Sequence, residues 1–343
     1  MSYLEKLLDG VEVEWKNLED FSKIFAGGTP RTSNQNFYDG DIPWIRSGEV
    51  NFNVITSSRR NITEAGLAGS SAKLIRKNSV VLAMTGATVA RSAVVEFSTS
   101  ANQSVAAIET NEDYLNYKYL FYYLEDNYNN IKSSAQGALT SINLAMIKKI
   151  EIPIPCPENP KKSLEIQQKI VDILDTFTEL TAELTAELTA RKQQFEYYRE
   201  QLLSLEPGKG IKKMQLSDIY DFQYGKGNTI PKKGGEYPVY GSNGIVGRHN
   251  EFNSEDAPVI GHIGAYAGIV NWGKGKHFVT YNGVICKHKS KDVLPKYAYH
   301  LLLLQNFGSK ANSGSQPFVS YNILKAPLVY VPPLEEQERI VSI

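Results

Sequence analysis

Apolar positions divide the chain into two kinds of text. Through residues 163–204 they recur at helical spacing, uninterrupted by Pro or Gly. That stretch of 42 residues is about 63 Å of helix. Ile170, Phe177, Leu184 and Tyr198 fall on one heptad position, and Leu174, Leu188, Phe195 and Leu202 fall four residues further on. Thr181 and Arg191 break the pattern. A helix of this length with such a seam predicts a coiled coil, which needs a partner helix. Asn159 followed by Pro160 suits an N-cap with Pro at the first helical position, Ser163 is an alternative cap, and Pro207-Gly208 ends the helix. On either side, short apolar runs are separated by Gly- and Ser-rich turns, the pattern of strands.

The same pattern is written twice. "SVVLAMTGATVARSAVV" (79–95) parallels "APVIGHIGAYAGIVNW" (257–272), each an apolar strand, a small-residue turn with Gly-Ala, and another strand. "NYKYLFYYL" (116–124) parallels "PKYAYHLLLL" (295–304), both helical with aromatic faces. "SSAQGALTSIN" (133–143) parallels "ANSGSQPFVSYN" (311–322). "EIPIPCPENPKKSLEIQQKIVDIL" (151–174) parallels "LVYVPPLEEQERIVSI" (328–343), with Gln167, Ile170 and Val171 matching Gln337, Ile340 and Val341. A weaker echo joins "YLEKLL" (3–8) to "YREQLL" (198–203). One order in both halves predicts a duplication. The second long helix stops two turns in, so either the chain is cut short or another chain supplies that helix.

Within the first long helix sit two perfect Thr-Ala-Glu-Leu units, 181–184 and 185–188, after a degenerate one at 177–180. Four inserted residues lengthen a helix by about 6 Å and turn its end by about 40° net. One base pair turns a DNA duplex by roughly 34–36°, although its rise, about 3.4 Å, is smaller. The plain alternative is helical filler with Leu on the seam.

Charge is unevenly spread along the chain. The net is zero, yet residues 1–156 carry 15 basic and 17 acidic side chains, and residues 157–206 carry 6 and 10. Residues 207–330 carry 15 and 7, a net of +8, with all five His; residues 331–343 carry 1 and 3. A basic segment of that size fits an anionic partner or an ordinary basic domain. No run approaches the 18 apolar residues of a membrane span, and the N-terminus lacks a signal-peptide core. Cys156 and Cys286 lack CxxC or His spacing and read as reduced cytoplasmic thiols. Motifs for phosphate loops, amino-methyltransferases and metal clusters are missing from the sequence, which argues against an enzyme.

At this point the chain resembles the specificity subunits of type I restriction-modification systems. The resemblance rests on "EWKNLEDFSKIFAGGTPRTSNQNFYDGDIPWIRSGEV" (14–50), "IPIPCP" with "IQQKIVDILD", "FEYYREQLLS", "YPVYGSNGIVG", "GAYAGIVNWGKG" and "PPLEEQERIV". It implies an α+β fold: two β-rich target-recognition domains, 1–156 and 207–330, separated by a long helix, 157–206. That helix would pair antiparallel with a second, here truncated, helix at 331–343. It implies a non-catalytic cytoplasmic subunit that reads a gapped bipartite site on double-stranded DNA. Two modification subunits would methylate adenine with S-adenosylmethionine, and restriction subunits would join them, ATP and Mg being bound by those partners. In some members the number of Thr-Ala-Glu-Leu units sets the gap. The rival readings are a β-rich coiled-coil binding module and the recognition part of a methyltransferase.

DNA reading needs cations for phosphates and planar or amide groups for base edges. The first domain offers Thr29, Arg31, Arg46, Arg59, Arg60, Thr85, Thr88, Arg91, Gln136 and Thr140. The second offers Lys226, Asn228, Lys232, Lys233, Ser242, Asn243, Arg248, His249, His262, Tyr266, Ser315 and Gln316. Glycine-rich turns beside strands, and the Ser/Gln/Gly loop before each proline cluster, are the expected reading loops, since glycine permits close backbone approach. Trp44 and Trp272 are expected in the core. With a net of −2 the first domain is expected to lean on partner subunits for phosphate contacts.

Overall fold

The computed structural model describes residues 10–135, 141–312 and 316–343. The chain divides into two compact units, Met1–Thr185 and Ala186–Ile343. The division falls inside the long helix, so that the helix begins in the first unit and ends in the second. The echo at 3–8 lies outside the described residues.

In the first unit, Val13–Asn17 pairs antiparallel with Glu151–Pro155. A five-stranded sheet runs in the order Ser22–Ala26, Val105–Thr110, Ser79–Ala83, Ser92–Val95 and Asn53–Ile55. Its last pair is parallel and the others are antiparallel. Strand alternation sends Val80, Leu82, Val94, Ala106 and Ile108 to one face, where they meet Leu120, Phe121 and Leu124 of the helix Tyr117–Asp126. Val81, Ala83, Ala93, Val95, Val105 and Ala107 point to the other face, against Phe25, Ile45, Val50, Ile55 and Ile75. A four-stranded sheet built on Tyr38–Ile45 covers that second face, and Trp44 is buried within it.

The second unit repeats the plan. Lys212–Gln215 pairs antiparallel with Leu328–Val331. Its six-stranded sheet runs Tyr220–Tyr224, Gly283–His288, Ser254–Gly261, Val270–Val279, Tyr237–Tyr240 and Ile245–His249. The first four match the first unit strand for strand and direction for direction, and the fifth is again parallel to its neighbour. The helix Pro295–Leu304 covers one face with Tyr297, Ala298, Leu301 and Leu302.

The long helix spans Pro160–Leu203, about 66 Å. The Asn159 side chain accepts from Lys162 N at 3.1 Å, so it is the cap. Ser163, Ile166, Gln167 and Val171 are buried in the first unit, and Leu203 is buried in the second. Between these anchors the seam is open: Phe177 is 63% exposed, Leu184 67% and Phe195 54%. The threonines of the repeat back-bond to the turn before them, Thr181 to Phe177 O and Thr185 to Thr181 O, each at 2.7 Å. Each hydroxyl is thereby satisfied without leaving the helical backbone. The second helix, Leu334–Ser342, buries Gln337 and Ile340. Among the described residues no helix is long and apolar enough to cross a membrane.

One feature joins helix to unit in both copies. Gln167 Oε1 accepts from Asn116 N at 2.9 Å, and its Nε2 donates to Tyr114 O at 2.9 Å and Ser163 Oγ at 3.0 Å. Gln337 Oε1 accepts from Leu294 N at 2.8 Å, and its Nε2 donates to Asp292 O at 2.9 Å and Pro332 O at 2.8 Å. Asn116 and Leu294 are the N-caps of the two aromatic helices. Each buried amide thus ties the start of a long helix to the cap of its neighbour and the carbonyl two residues earlier.

Candidate nucleic-acid interface

Strand direction collects the loops. In the first unit the strands end at Ala26 and Ala83 and begin at Asn53, Ser92 and Val105, all at one end of the five-stranded sheet. The loops leaving that end touch one another. Gly27 N donates to Val105 O and Gly28 N to Ala101 O. The Thr29 hydroxyl bonds Gln103. Met84 N donates to Ser104 O, and Ile142 N to Met84 O, which draws the end of the 133–143 stretch to the 84–91 turn. Thr88 Oγ1 donates to Ser47 O at 2.7 Å, and Arg91 bonds the Asn51 amide oxygen.

Arg31 and Arg46 are exposed on this set of loops, and Asn102 N donates to Ile45 O beside Arg46. Glu49 accepts from Arg46 N at 2.9 Å and Arg59 N at 3.1 Å, so one carboxylate pins the backbone of both arginines. Arg60 is exposed, with its carbonyl taken by Trp44 N. Thr85 is half-buried in the turn. Gln136, Thr140 and Ser315 lie outside the described residues.

The charge balance of this unit conceals its distribution. Lys16, Lys23, Arg76, Lys118 and Lys148 pair with carboxylates. Among the described residues Arg31, Arg46, Arg59, Arg60 and Arg91 have no such pair, and four of them are exposed. Lys73, Lys77 and Lys149 also lack such a pair among the described residues, but the five arginines gather on the loops at one sheet end, where an external anion can meet them despite the net of −2 over residues 1–156.

Equivalent loops meet in the second unit. Lys226 N donates to Val279 O, Tyr281 N to Gly227 O, His262 N to Asn282 O, Val319 N to His262 O and Gly264 N to Pro317 O. A Cβ on Gly261 would meet Ser242 O at 2.3 Å, so the 241–244 turn joins the group. Lys226, Asn228, Asn243, Tyr266 and Gln316 are exposed there, and Ser242 is half-buried. His262 is 6% exposed, its ring held against Tyr224 at 4.4 Å and Tyr281 at 5.2 Å, with Nδ1 3.2 Å from Tyr281 O. Its imidazole is part of an aromatic cluster with Tyr224, Tyr281 and Tyr321.

Four residues stand apart from this group. Arg248 spends its guanidinium on Gly235 O at 2.6 Å and on Glu236 O. His249 stacks on Phe278 at 4.1 Å and accepts from Glu251 N at 2.9 Å. Both lie where Ile245–His249 pairs with the start of Tyr237–Tyr240. Lys232 and Lys233 are exposed on the turn that leads to Gly234 and Gly235, packed on the same end. Gln103, Asn51, Tyr224, Tyr281 and Tyr321 join the loop groups without having been singled out in the sequence. Tyr224 opens the glycine-rich stretch 224–227 and the others lie outside such stretches; their hydrogen bonds and ring contacts reveal them.

Not every glycine serves an outside surface. A Cβ on Gly27 would sit 2.2 Å from Ala101 O, and one on Gly28 would sit 2.3 Å from Ala72 N. These two allow close approach inside the unit, and Trp44 Nε1 donates to Gly28 O at 3.0 Å beneath them.

Known proteins share this duplicated plan. The sequence profile of the type I restriction modification DNA specificity domain matches residues 10–191 and again 208–343. Over its full length the chain is 36% identical to the type I restriction enzyme EcoprrI specificity subunit of Escherichia coli, spanning 89% of it. It is 34% identical over 237 residues to the EcoR124I/EcoR124II specificity subunit of the same species, covering 68% of this chain and 54% of that one. The fold is similar to the solved S subunit of a type I restriction-modification system from M. genitalium, with TM-score 0.61, 16% identity, and 97% and 88% of the two chains covered. One specificity-domain match for each copy of the fold, together with a full-length relative, gives the duplication its place: the chain belongs to the specificity subunits of type I restriction-modification systems.

Proposed function

We propose that this chain reads a gapped, bipartite site on double-stranded DNA, one half-site for each unit, as the non-catalytic specificity subunit of a type I restriction-modification enzyme. Adenine methylation belongs to two modification subunits that carry S-adenosylmethionine. Cleavage belongs to restriction subunits, which use ATP and Mg. The observation that carries this reading is the equivalence of the loop groups: the same sheet end in both units gathers polar side chains, with arginines lacking carboxylate partners in the first and Lys226 in the second. Phosphate contacts from such loops set register, and the side chains between them meet base edges.

The repeat in the long helix supplies the gap. Each added Thr-Ala-Glu-Leu unit turns the helix end by about 40°, close to the roughly 34–36° of one base pair. Methylation mapping of host DNA, with and without the chain and its modification subunit, is the test. A gapped asymmetric motif is expected only when the chain is present. One extra unit inserted after Leu188 widens its gap by one base pair. No motif at all refutes the DNA reading, and an unchanged gap refutes the spacer role of the repeat.

A further inference from the structure

Two cations of the first unit flank one pair of aromatic rings, Phe52 and Tyr128. Lys132 Nζ lies 5.2 Å from the centre of the Tyr128 ring. The Arg91 guanidinium lies 5.9 Å from the centre of the Phe52 ring, which meets Tyr128 edge-on at 5.1 Å. Arg91 also bonds Asn51, while its Nε is buried and finds no partner among the described residues. Neither Arg91 nor Lys132 has a carboxylate partner among those residues, unlike the paired lysines elsewhere in the unit. The neighbouring Lys132, and to a lesser degree Arg91, hold the Tyr128 hydroxyl below the ordinary tyrosine range against the opposing effect of burial.

The backbone is bent to make this arrangement. Phe52 has φ of 53° and Ala90 has φ of 67°, both in the left-handed region that side chains of their kind rarely adopt. Phe52 N donates to Ser92 O at 2.8 Å, and Ala90 N donates to Ala83 O at 2.8 Å, so each strained residue is pinned to a central strand beside Arg91. Such strain persists where the surroundings impose it, and it collects at binding sites. Like charges held together without an anion repel, and a bound anion removes that cost.

We infer that Arg91, Lys132 and the Tyr128 hydroxyl form a notch for one backbone phosphate of DNA, with Phe52 and Asn51 bracing the arginine. The notch stands on the sheet end that carries the reading loops, and it rests on the DNA reading proposed above. It assigns Arg91 to phosphate contact rather than base readout. It also adds Lys132 and Tyr128, which sit on the short helix Tyr128–Ser133 and not in a loop.

The test uses the chain assembled with its modification subunit, on a duplex bearing the mapped site and on a scrambled duplex. K132Q, R91Q and the double variant are titrated between about 50 and 200 mM salt. Loss of a phosphate contact weakens binding to both duplexes by the same factor, and the double variant flattens the salt slope by about 0.9. K23Q, which removes a lysine paired with Glu109, leaves the slope unchanged. An unaltered slope in the double variant, or a loss confined to the cognate duplex, overturns the notch. Lys132 is exposed, so K132Q remains informative if R91Q fails to fold. Wild-type complex that does not prefer its mapped site over the scrambled duplex would instead sink the underlying DNA reading.

Discussion

In the first unit a five-stranded sheet is covered on one face by a helix and on the other by a four-stranded sheet; in the second unit that other face meets a smaller layer, Tyr237–Tyr240 paired with Ile245–His249, whose Tyr240 packs on Ala257, Val259 and Ile285. What the two share is therefore the informative part. Both keep the antiparallel pair that launches the long helix, the aromatic helix on one sheet face, and the loop group at one sheet end. Tyr119 and Tyr297 stand at the same place after their N-caps, and burial pushes each phenol up to about 12. Tyr119 Oη donates to Pro153 O at 2.8 Å, whereas the Tyr297 hydroxyl has no partner among the described residues. The covering layer differs in size and individual hydrogen bonds differ, whereas the connection between helix and unit is kept.

The buried glutamines give the severest test of that equivalence. Replacing Gln167 by Leu keeps the volume but leaves the part-buried Asn116 N and Tyr114 O, and the buried Ser163 hydroxyl, without this partner. Each orphaned buried group costs about 1–3 kcal/mol, so Q167L is expected to lose about 3 kcal/mol or more. Q337L strips Leu294 N and Asp292 O in the same way and is expected to match it. Denaturant unfolding of the full chain measures both. A neutral Q337L beside a damaging Q167L would mean that the shared wiring is coincidence.

A smaller loss is expected at two glycines. Gly27 and Gly225 each follow the first strand of their sheet and donate to Val105 O and Gly283 O, both at 2.9 Å. A Cβ at Gly27 would lie 2.2 Å from Ala101 O, and one at Gly225 would lie 2.1 Å from Thr280 O. Backbone oxygen cannot swing aside as a side chain can, so G27A and G225A should each cost about 1–3 kcal/mol through overpacking. Thermal melts of the two variants check this. A stable G225A would show that the second unit tolerates a shift that the first does not.

Much of this was legible in the sequence, for identifiable reasons. The duplication survives as pattern because apolar alternation and the Pro-to-helix junction are dictated locally, and both appear in the fold where the sequence placed them. The helix cap at Asn159 and the burial of Trp44 were equally readable. The role of the Gln167 and Gln337 match was not, because the cap N–H and the carbonyl that each glutamine ties to its unit lie 43 to 53 residues away in sequence. Candidate cations were chosen by loop composition, which found Arg91 but not Lys132 on its helix. It also chose Arg248 and His249, whose side chains are engaged within the second unit. Composition cannot tell a charge held by a backbone carbonyl from one left for DNA.

The mildest expected difference between the units concerns acid. All five histidines lie in the second unit. Burial lowers His277, His288 and His300 below the usual histidine range, with Arg199 and Lys296 adding to the effect on His300. The unfolded chain therefore binds more protons than the folded one as the pH falls through about 6.5. Stability from these groups is complete above that value and declines below it. In the first unit burial raises the Glu125 carboxyl, which acts in the opposite direction, favouring the folded state at lower pH. Between pH 7.5 and 5.5 the second unit should loosen relative to the first. Hydrogen exchange of peptides from each unit, corrected for the intrinsic rate at each pH, reads this directly. Equal protection in both units at pH 5.5 would mean that the three imidazoles gain solvent or partners when charged, and that the units differ in charge without differing in acid response.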